Sequence, residues 1–164
     1  MGALFSALAV VILYFASVWP TGQPGLAAAA SMFVAAMVIE SGPVPGVFVF
    51  VVSSALAMLL LPNRSAAILY ISFFGFYPIV KSFIERLRGT VLQWALKLAV
   101  FNISLTVVWF ILRELFFDFG SFAPHIILIY IGGNAVFALF DYGFTKVIRF
   151  YINRIRRDFG GLSK

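Results

Sequence analysis

Long apolar stretches, separated by short polar or proline-containing breaks, fill almost the whole chain. Inside a bilayer only helices and closed barrels satisfy their backbone hydrogen bonds, and a helix of about 20 apolar residues crosses the hydrocarbon core. The breaks predict helices at 2–19, 26–40, 47–61, 65–80, 90–117 and 122–151, with a basic tail at 152–164. We therefore predict an all-α, polytopic membrane bundle of six transmembrane helices in a single domain, 1–164.

The distribution of basic residues predicts an orientation for these helices. Cytoplasmic loops are enriched in lysine and arginine, so the more basic side is expected inside. With both termini inside, the inner loops and tail hold nine basic residues, and the outer loops hold only Arg64 and Arg113. The nine are Lys81, Arg86, Arg88, Lys146, Arg149, Arg154, Arg156, Arg157 and Lys164. The prediction is a multi-pass protein of the plasma membrane, N-in and C-in.

Two local patterns refine the predicted bundle. In the second helix, Ala27, Ser31 and Ala35 recur every four residues, a small-residue stripe that favours close helix packing. Between the fourth and fifth helices, the segment 81–89 has apolar residues at helical spacing among charged ones. This pattern predicts a short amphipathic segment in the membrane interface, and its basic residues would favour anionic lipid headgroups.

Composition supports the membrane class and excludes several kinds of site. The chain is 63% hydrophobic and 11% charged, whereas a soluble domain carries about 25% charged residues. It has no cysteine and a single histidine, so disulfides and cysteine or multi-histidine metal sites are excluded. The net charge of +6 is concentrated in loops and tail, which is a topological pattern and not one of nucleic-acid binding. No catalytic motif is present, so we expect no enzyme activity and no cofactor.

Two charged residues lie inside otherwise apolar helices. Lys97 falls in the fifth predicted helix and Asp141 in the sixth. If these helices form a hairpin that turns near Phe119, the two residues lie at the same depth, which predicts an intramembrane ion pair. The pair could lock the two helices together, or Lys97 could extend to the cytoplasmic face; a proton- or ion-coupled relay is the functional alternative.

A second polar group lies in the predicted outer half of the same hairpin. Asn102 and Asn134 are amides within the helices, and Arg113 and His125 lie near the outer mouth. Together with Tyr130 they are candidate ligand-binding residues. The alternative is that the amides bond between helices and that the charged groups are solvated loop residues.

The residues Gly42-Pro43-Val44-Pro45-Gly46 and the apolar run from Val47 to Ser82, within a six-span layout, resemble the substrate-binding S components of energy-coupling-factor transporters. This resemblance implies a small micronutrient bound near the outer face. It also implies partners: a shared membrane scaffold and two ATPase subunits, which supply the energy. Docking in that family uses small residues on the first helix, here Ala3 and Ala7, or Ser6 with Ala9 and Val10.

The size and number of spans are also similar to those of the rod-shape-determining protein MreD, which implies a non-catalytic scaffold for other membrane proteins. The charged motif expected after helix 2 in that family is absent here. The basic inner face suggests a third hypothesis, the handling of lipids or polyprenyl lipids. A transport subunit should contain an outward cavity with several polar groups, whereas a scaffold should be packed solid with an apolar groove on its side.

Overall fold

The computed structural model describes residues 1–115 and 126–156, and every regular element in these ranges is helical. The chain forms two compact units, Met1–Leu112 and Arg113–Lys164. The helices are α1 (Gly2–Val18), α2 (Gln23–Ser41), α3 (Pro43–Leu60), α4 (Arg64–Leu69), α5 (Tyr77–Ile84), α6 (Thr90–Leu115) and α7 (Ile126–Phe150). A 3-10 turn covers Pro20–Gly22, and π-helical turns cover Tyr70–Phe74 and Tyr151–Arg156.

Five of the helical stretches described are long and apolar enough to cross a membrane. They are Gln23–Ser41, Pro43–Leu60, Arg64–Ile84, Thr90–Phe110 and Ile127–Asn153. The first helix, Gly2–Val18, is apolar but shorter, with 17 residues. The prediction of an all-helical protein with several helices of membrane-spanning length is confirmed.

The break between α2 and α3 is narrower than the predicted turn. The sequence predicted helices at 26–40 and 47–61, but α2 continues to Ser41 and α3 already begins at Pro43. Gly42 alone makes the turn, with a backbone φ of 96° that residues other than glycine rarely adopt. Pro43 and Pro45 lie in the first turn of α3. Backbone N–H groups in a first turn have no acceptor within the helix, so the N–H that proline lacks costs no hydrogen bond there, and proline begins this helix instead of preventing it.

The predicted helix 65–80 is one continuous span with an internal change of winding. Its α4 portion passes into a π-helical turn, in which the Gly75 N–H donates to the Tyr70 carbonyl at 2.7 Å, and α5 then runs on to Ile84. Pro78 lies in the first turn of α5. Its missing N–H interrupts the regular hydrogen-bond ladder, and the wider turn before it accommodates that loss.

Small residues determine how closely α1, α2 and α3 pack in the first unit. Ala27, Ser31 and Ala35 are all buried, which confirms the packing stripe predicted on α2. Gly46 of α3 lies directly against the Val38 side chain of α2, so a β-carbon at that position would collide with it. The other faces of these helices carry exposed apolar side chains, as expected for surfaces in contact with lipid.

The last two predicted helices are described in part. The structure gives α6 as Thr90–Leu115, against the predicted 90–117, and α7 as Ile126–Phe150, against 122–151. The turn predicted near Phe119 lies outside the described residues. The predicted tail, 152–164, begins in helical conformation, because the π-helical turn extends to Arg156.

Candidate functional site: two lysines on one carboxylate

Lys81 is buried, which corrects the sequence prediction that placed it in an interfacial segment. It lies in α5, and only 2% of the residue is exposed. Its Nζ contacts Oε1 of Glu85 at 2.9 Å, one helical turn further along the chain. A buried ammonium group is stable only when an anion and hydrogen-bond acceptors replace its water, and Glu85 supplies the anion.

The same oxygen of Glu85 also binds Lys97. Lys97 lies near the start of α6, is 6% exposed, and its Nζ is 3.0 Å from Glu85 Oε1. The chain reverses between α5 and α6 at Gly89. Its φ is 107°, a value that glycine adopts readily. Lys81, Glu85 and Lys97 form what we call the lysine clamp. It fastens the end of α5 to the second turn of α6.

Neighbouring groups adjust the electrostatics of the lysine clamp. The Lys81 Nζ lies 5.9 Å from the centre of the Tyr77 ring, and the Lys97 Nζ lies 5.7 Å from the centre of the Trp94 ring. Both distances are within the range of cation–π attraction. Partial burial alone would raise the pKa of the Glu85 carboxyl. The hydrogen bonds and positive charges of Lys81 and Lys97 outweigh that effect, so the pKa of Glu85 lies below its ordinary value. Glu85 is therefore an anion at neutral pH.

The geometry of the lysine clamp is that of a fixed ion-pair network. Both contacts are within the range of charge-assisted hydrogen bonds. Glu85 itself keeps 41% of its side chain exposed, so the clamp reaches the surface of the helical unit. This arrangement favours the interpretation of Lys97 as a residue that joins helices.

Asp141 shares one face of α7 with two buried phenylalanines, Phe137 and Phe144. It is 2% exposed, as expected for a carboxylate that does not face lipid. Its hydrogen bonds include one that its backbone carbonyl accepts from the Thr145 hydroxyl at 2.7 Å. The pairing of Asp141 with Lys97 stays a prediction, based on equal depth in the sequence.

The candidate ligand residues have local hydrogen bonds in the structure. The Asn102 amide donates to the Leu98 carbonyl at 2.7 Å, and the Asn134 amide donates to the Tyr130 carbonyl at 2.8 Å. Each bond returns to the preceding turn of the same helix. The side chain of Arg113 and all of His125 lie outside the described residues. The ligand role of this set stays a prediction.

A shallow apolar groove lies on the side of the first unit. It has a volume of about 290 Å³ and lies between the start of α1, the end of α2 and the start of α3. Its lining includes Gly2, Ala3 and Ser6 of α1, Met37 of α2, and Phe48 and Val52 of α3. Ser6 is its main polar group, and that hydroxyl donates to the Val49 carbonyl at 3.5 Å. We call this feature the α1–α3 groove.

Sequence reasoning missed two polar arrangements. The sequence prediction placed Lys81 and Glu85 in an amphipathic interfacial segment, although their spacing of four residues is typical of a helical ion pair and could have indicated it. Tyr70 and Ser53 share a buried hydrogen bond of 2.9 Å between the π-helical turn and α3. No local pattern indicates this contact, because the two residues lie on different helices.

Known proteins give no direct guide to this arrangement. No protein-family model, no curated protein and no solved structure matches the chain. Among the residues that the structure describes, no three acidic or histidine side chains group to hold a metal ion. The function must therefore be inferred from the helices, the lysine clamp and the α1–α3 groove.

Replacing Glu85 with glutamine leaves two buried ammonium groups facing a neutral amide. We expect a loss of roughly 1–3 kcal/mol, below the value for a fully buried pair because solvent screens the exposed part of the carboxylate. Since the pKa of Glu85 is lowered in the fold, its stabilisation is complete above the ordinary pKa of a glutamate and is lost as the pH falls through the folded pKa. The measurement is the apparent melting temperature in detergent from pH 7 down to pH 3.

The matched control is Glu40→Gln, because Glu40 is an exposed carboxylate at the end of α2. It should lower the melting temperature less than Glu85→Gln does, because both lysines of the clamp keep their anion. Equal melting temperatures for Glu85→Gln and the parent protein at neutral pH would contradict the lysine clamp.

The predicted pairing of Lys97 with Asp141 is tested by removing the charges singly and together. Lys97→Met or Asp141→Leu alone should destabilise the protein, because each leaves a buried charge behind. The double variant should recover part of the loss, with a coupling of about 0.5–3 kcal/mol. Additive losses would show that the two residues do not interact. A double variant that folds and works normally would exclude a proton relay through the pair.

Proposed function

We propose that this chain is a non-catalytic subunit of a membrane transport complex, which binds a small micronutrient and depends on a partner module for energy. In this proposal six helices cross the plasma membrane with both termini in the cytoplasm. The partner module consists of a membrane scaffold and ATPase subunits. The proposal extends the resemblance to the S components of energy-coupling-factor transporters.

The exposure of small residues on α1 is the observation that carries the proposal. The sequence offered two possible docking faces on this helix. Ser6 and Ala9 are buried in the first unit, so that face already packs inside the protein. Ala3 and Ala7 are exposed and remain accessible to another helix. Small residues let helix backbones approach closely in a membrane, where such packing drives association.

The α1–α3 groove lies beside the exposed face of α1 that carries Ala3 and Ala7. Ala3 belongs to its lining, and Phe48 forms an exposed apolar wall on the α3 side. A partner helix laid along Ala3 and Ala7 would bring its own apolar side chains against this groove. The occupant proposed is therefore an apolar transmembrane helix of the scaffold subunit, whose side chains interdigitate with the groove.

The proposed ligand residues are those that the sequence indicated, beginning with Asn102 and Asn134. Arg113, His125 and Tyr130 complete the proposed set. Amides, a guanidinium, an imidazole and a phenol together can bind a polar or anionic small molecule.

The second candidate is a membrane scaffold without a substrate, of the kind that the likeness to MreD implies. The α1–α3 groove favours it too, because an apolar groove on the side is what a scaffold would offer its partner. The two proposals agree on a partner at α1 and differ in the ligand. One measurement can therefore separate them.

Native mass spectrometry of the complex from native membranes, with the variant Ala3→Phe, tests the proposal. The parent protein should appear with a scaffold subunit, two ATPase subunits and one small molecule. Ala3→Phe fills the groove, so it should lose the partner subunits and keep the small molecule. Ala99→Phe makes the same change at an exposed site on α6 and should keep both.

The outcomes of this measurement separate the hypotheses. Partners without a small molecule in the parent protein would favour the scaffold. A parent protein with neither partner nor ligand would overturn both proposals. Loss of partners in Ala99→Phe as well as Ala3→Phe would refute docking at the groove.

A further inference from the structure

The end of α5 and the segment that follows it expose two arginines and two apolar side chains, within the range 83–88. Phe83 is 51% exposed and Leu87 is 43% exposed, and Arg86 and Arg88 are both exposed. The Arg86 guanidinium carbon lies 5.5 Å from the centre of the Phe83 ring, so charge and ring occupy the same side. Apolar surface beside arginine is the composition of a segment that lies in the membrane interface.

The lysine clamp changes the charge that this segment shows. In the sequence, Glu85 is the only acidic residue between Lys81 and Gly89 and offsets part of the positive charge. In the structure its carboxylate binds Lys81 and Lys97, whose ammonium groups are buried. The negative charge is thus directed to the two lysines, and the exposed cations of the segment are Arg86 and Arg88.

The segment is held in place by its own backbone contacts. The Arg86 N–H donates to the Phe83 carbonyl at 3.2 Å and the Leu87 N–H to the Ile84 carbonyl at 3.1 Å, which extends α5 by a tighter turn. The Gln93 side chain of α6 donates to the Leu87 carbonyl at 2.8 Å. A segment fixed at both ends presents its arginines in a defined position, which reduces the entropy lost on binding.

We propose that Phe83, Arg86, Leu87 and Arg88 form a binding surface for the headgroup of an anionic phospholipid. The two guanidinium groups bind the phosphate and the added negative charge of the headgroup, since arginine forms paired hydrogen bonds with phosphate oxygens. Phe83 and Leu87 enter the region where headgroups meet acyl chains. The charge distribution of the sequence predicts this end of the bundle to face the cytoplasm, where anionic lipid attracts basic segments. This proposal is independent of the transport proposal.

The test is a lipid titration of the delipidated protein in detergent, followed by native mass spectrometry. All proteins carry Lys146→Gln and Arg149→Gln, because these cations on α7 offer headgroups a second site. Phosphatidylglycerol should bind more tightly than phosphatidylcholine. Arg86→Gln with Arg88→Gln should weaken phosphatidylglycerol binding by roughly 25-fold, about fivefold for each arginine, and leave phosphatidylcholine binding unchanged.

The matched control is Arg64→Gln, an exposed arginine at the other end of the same span. Compared with Arg86→Gln alone, it should change phosphatidylglycerol binding little, because the sequence has no second basic residue between Met1 and Val80 to share a phosphate with Arg64. Equal losses for Arg64→Gln and Arg86→Gln would overturn the proposal, as would unchanged binding in the double variant. Free glycerol phosphate should not compete; effective competition would indicate a phosphate site and refute a lipid surface.

Discussion

A charged group beside hydrocarbon must find its partner within the protein, and that constraint shapes the junction between α5 and α6. Glu85 satisfies two ammonium groups with one oxygen, at 2.9 and 3.0 Å. An uncompensated charge at either lysine would be costly, so α5 must end where Glu85 can reach both. The short segment up to Gly89 and the first turns of α6 follow from that requirement. The exposed residues Arg86 and Arg88 lie on the same short segment.

The rest of the first unit is organised by backbone shape and small side chains. Gly42 turns the chain within a single residue, and the prolines after it begin a helix instead of ending one. The small residues of α2 and Gly46 of α3 bring the first three helices close together. Packing of this kind leaves shallow features at the surface, such as the α1–α3 groove. The function we propose uses that surface: the buried face of α1 holds the unit together, and its exposed alanines remain for a partner.

The sequence predicts the helices well because hydropathy acts over 15–20 residues and is insensitive to single contacts. It predicts their ends less well. The breaks at Gly42 and at the π-helical turn depend on hydrogen bonds of individual residues, and proline can either start or stop a helix. Lys81 was misplaced because charged residues among apolar ones at helical spacing, as in 81–89, are typical of an interfacial segment. Its burial is tied to the contact of Glu85 with both Lys81 and Lys97. The Ser53–Tyr70 contact required the packing of two separate helices. The ligand-binding roles of Arg113 and His125 stay predictions.

The central claim is that Lys81 and Lys97 are both buried on the carboxylate of Glu85. Labelling with an amine-reactive ester in detergent, followed by peptide mass spectrometry, measures the accessibility of each lysine. Lys146 is exposed and provides the reference. The account predicts fast labelling of Lys146, much slower labelling of Lys81 and Lys97, and faster labelling of both in Glu85→Gln. Labelling of Lys81 and Lys97 at the rate of Lys146 in the parent protein would contradict it.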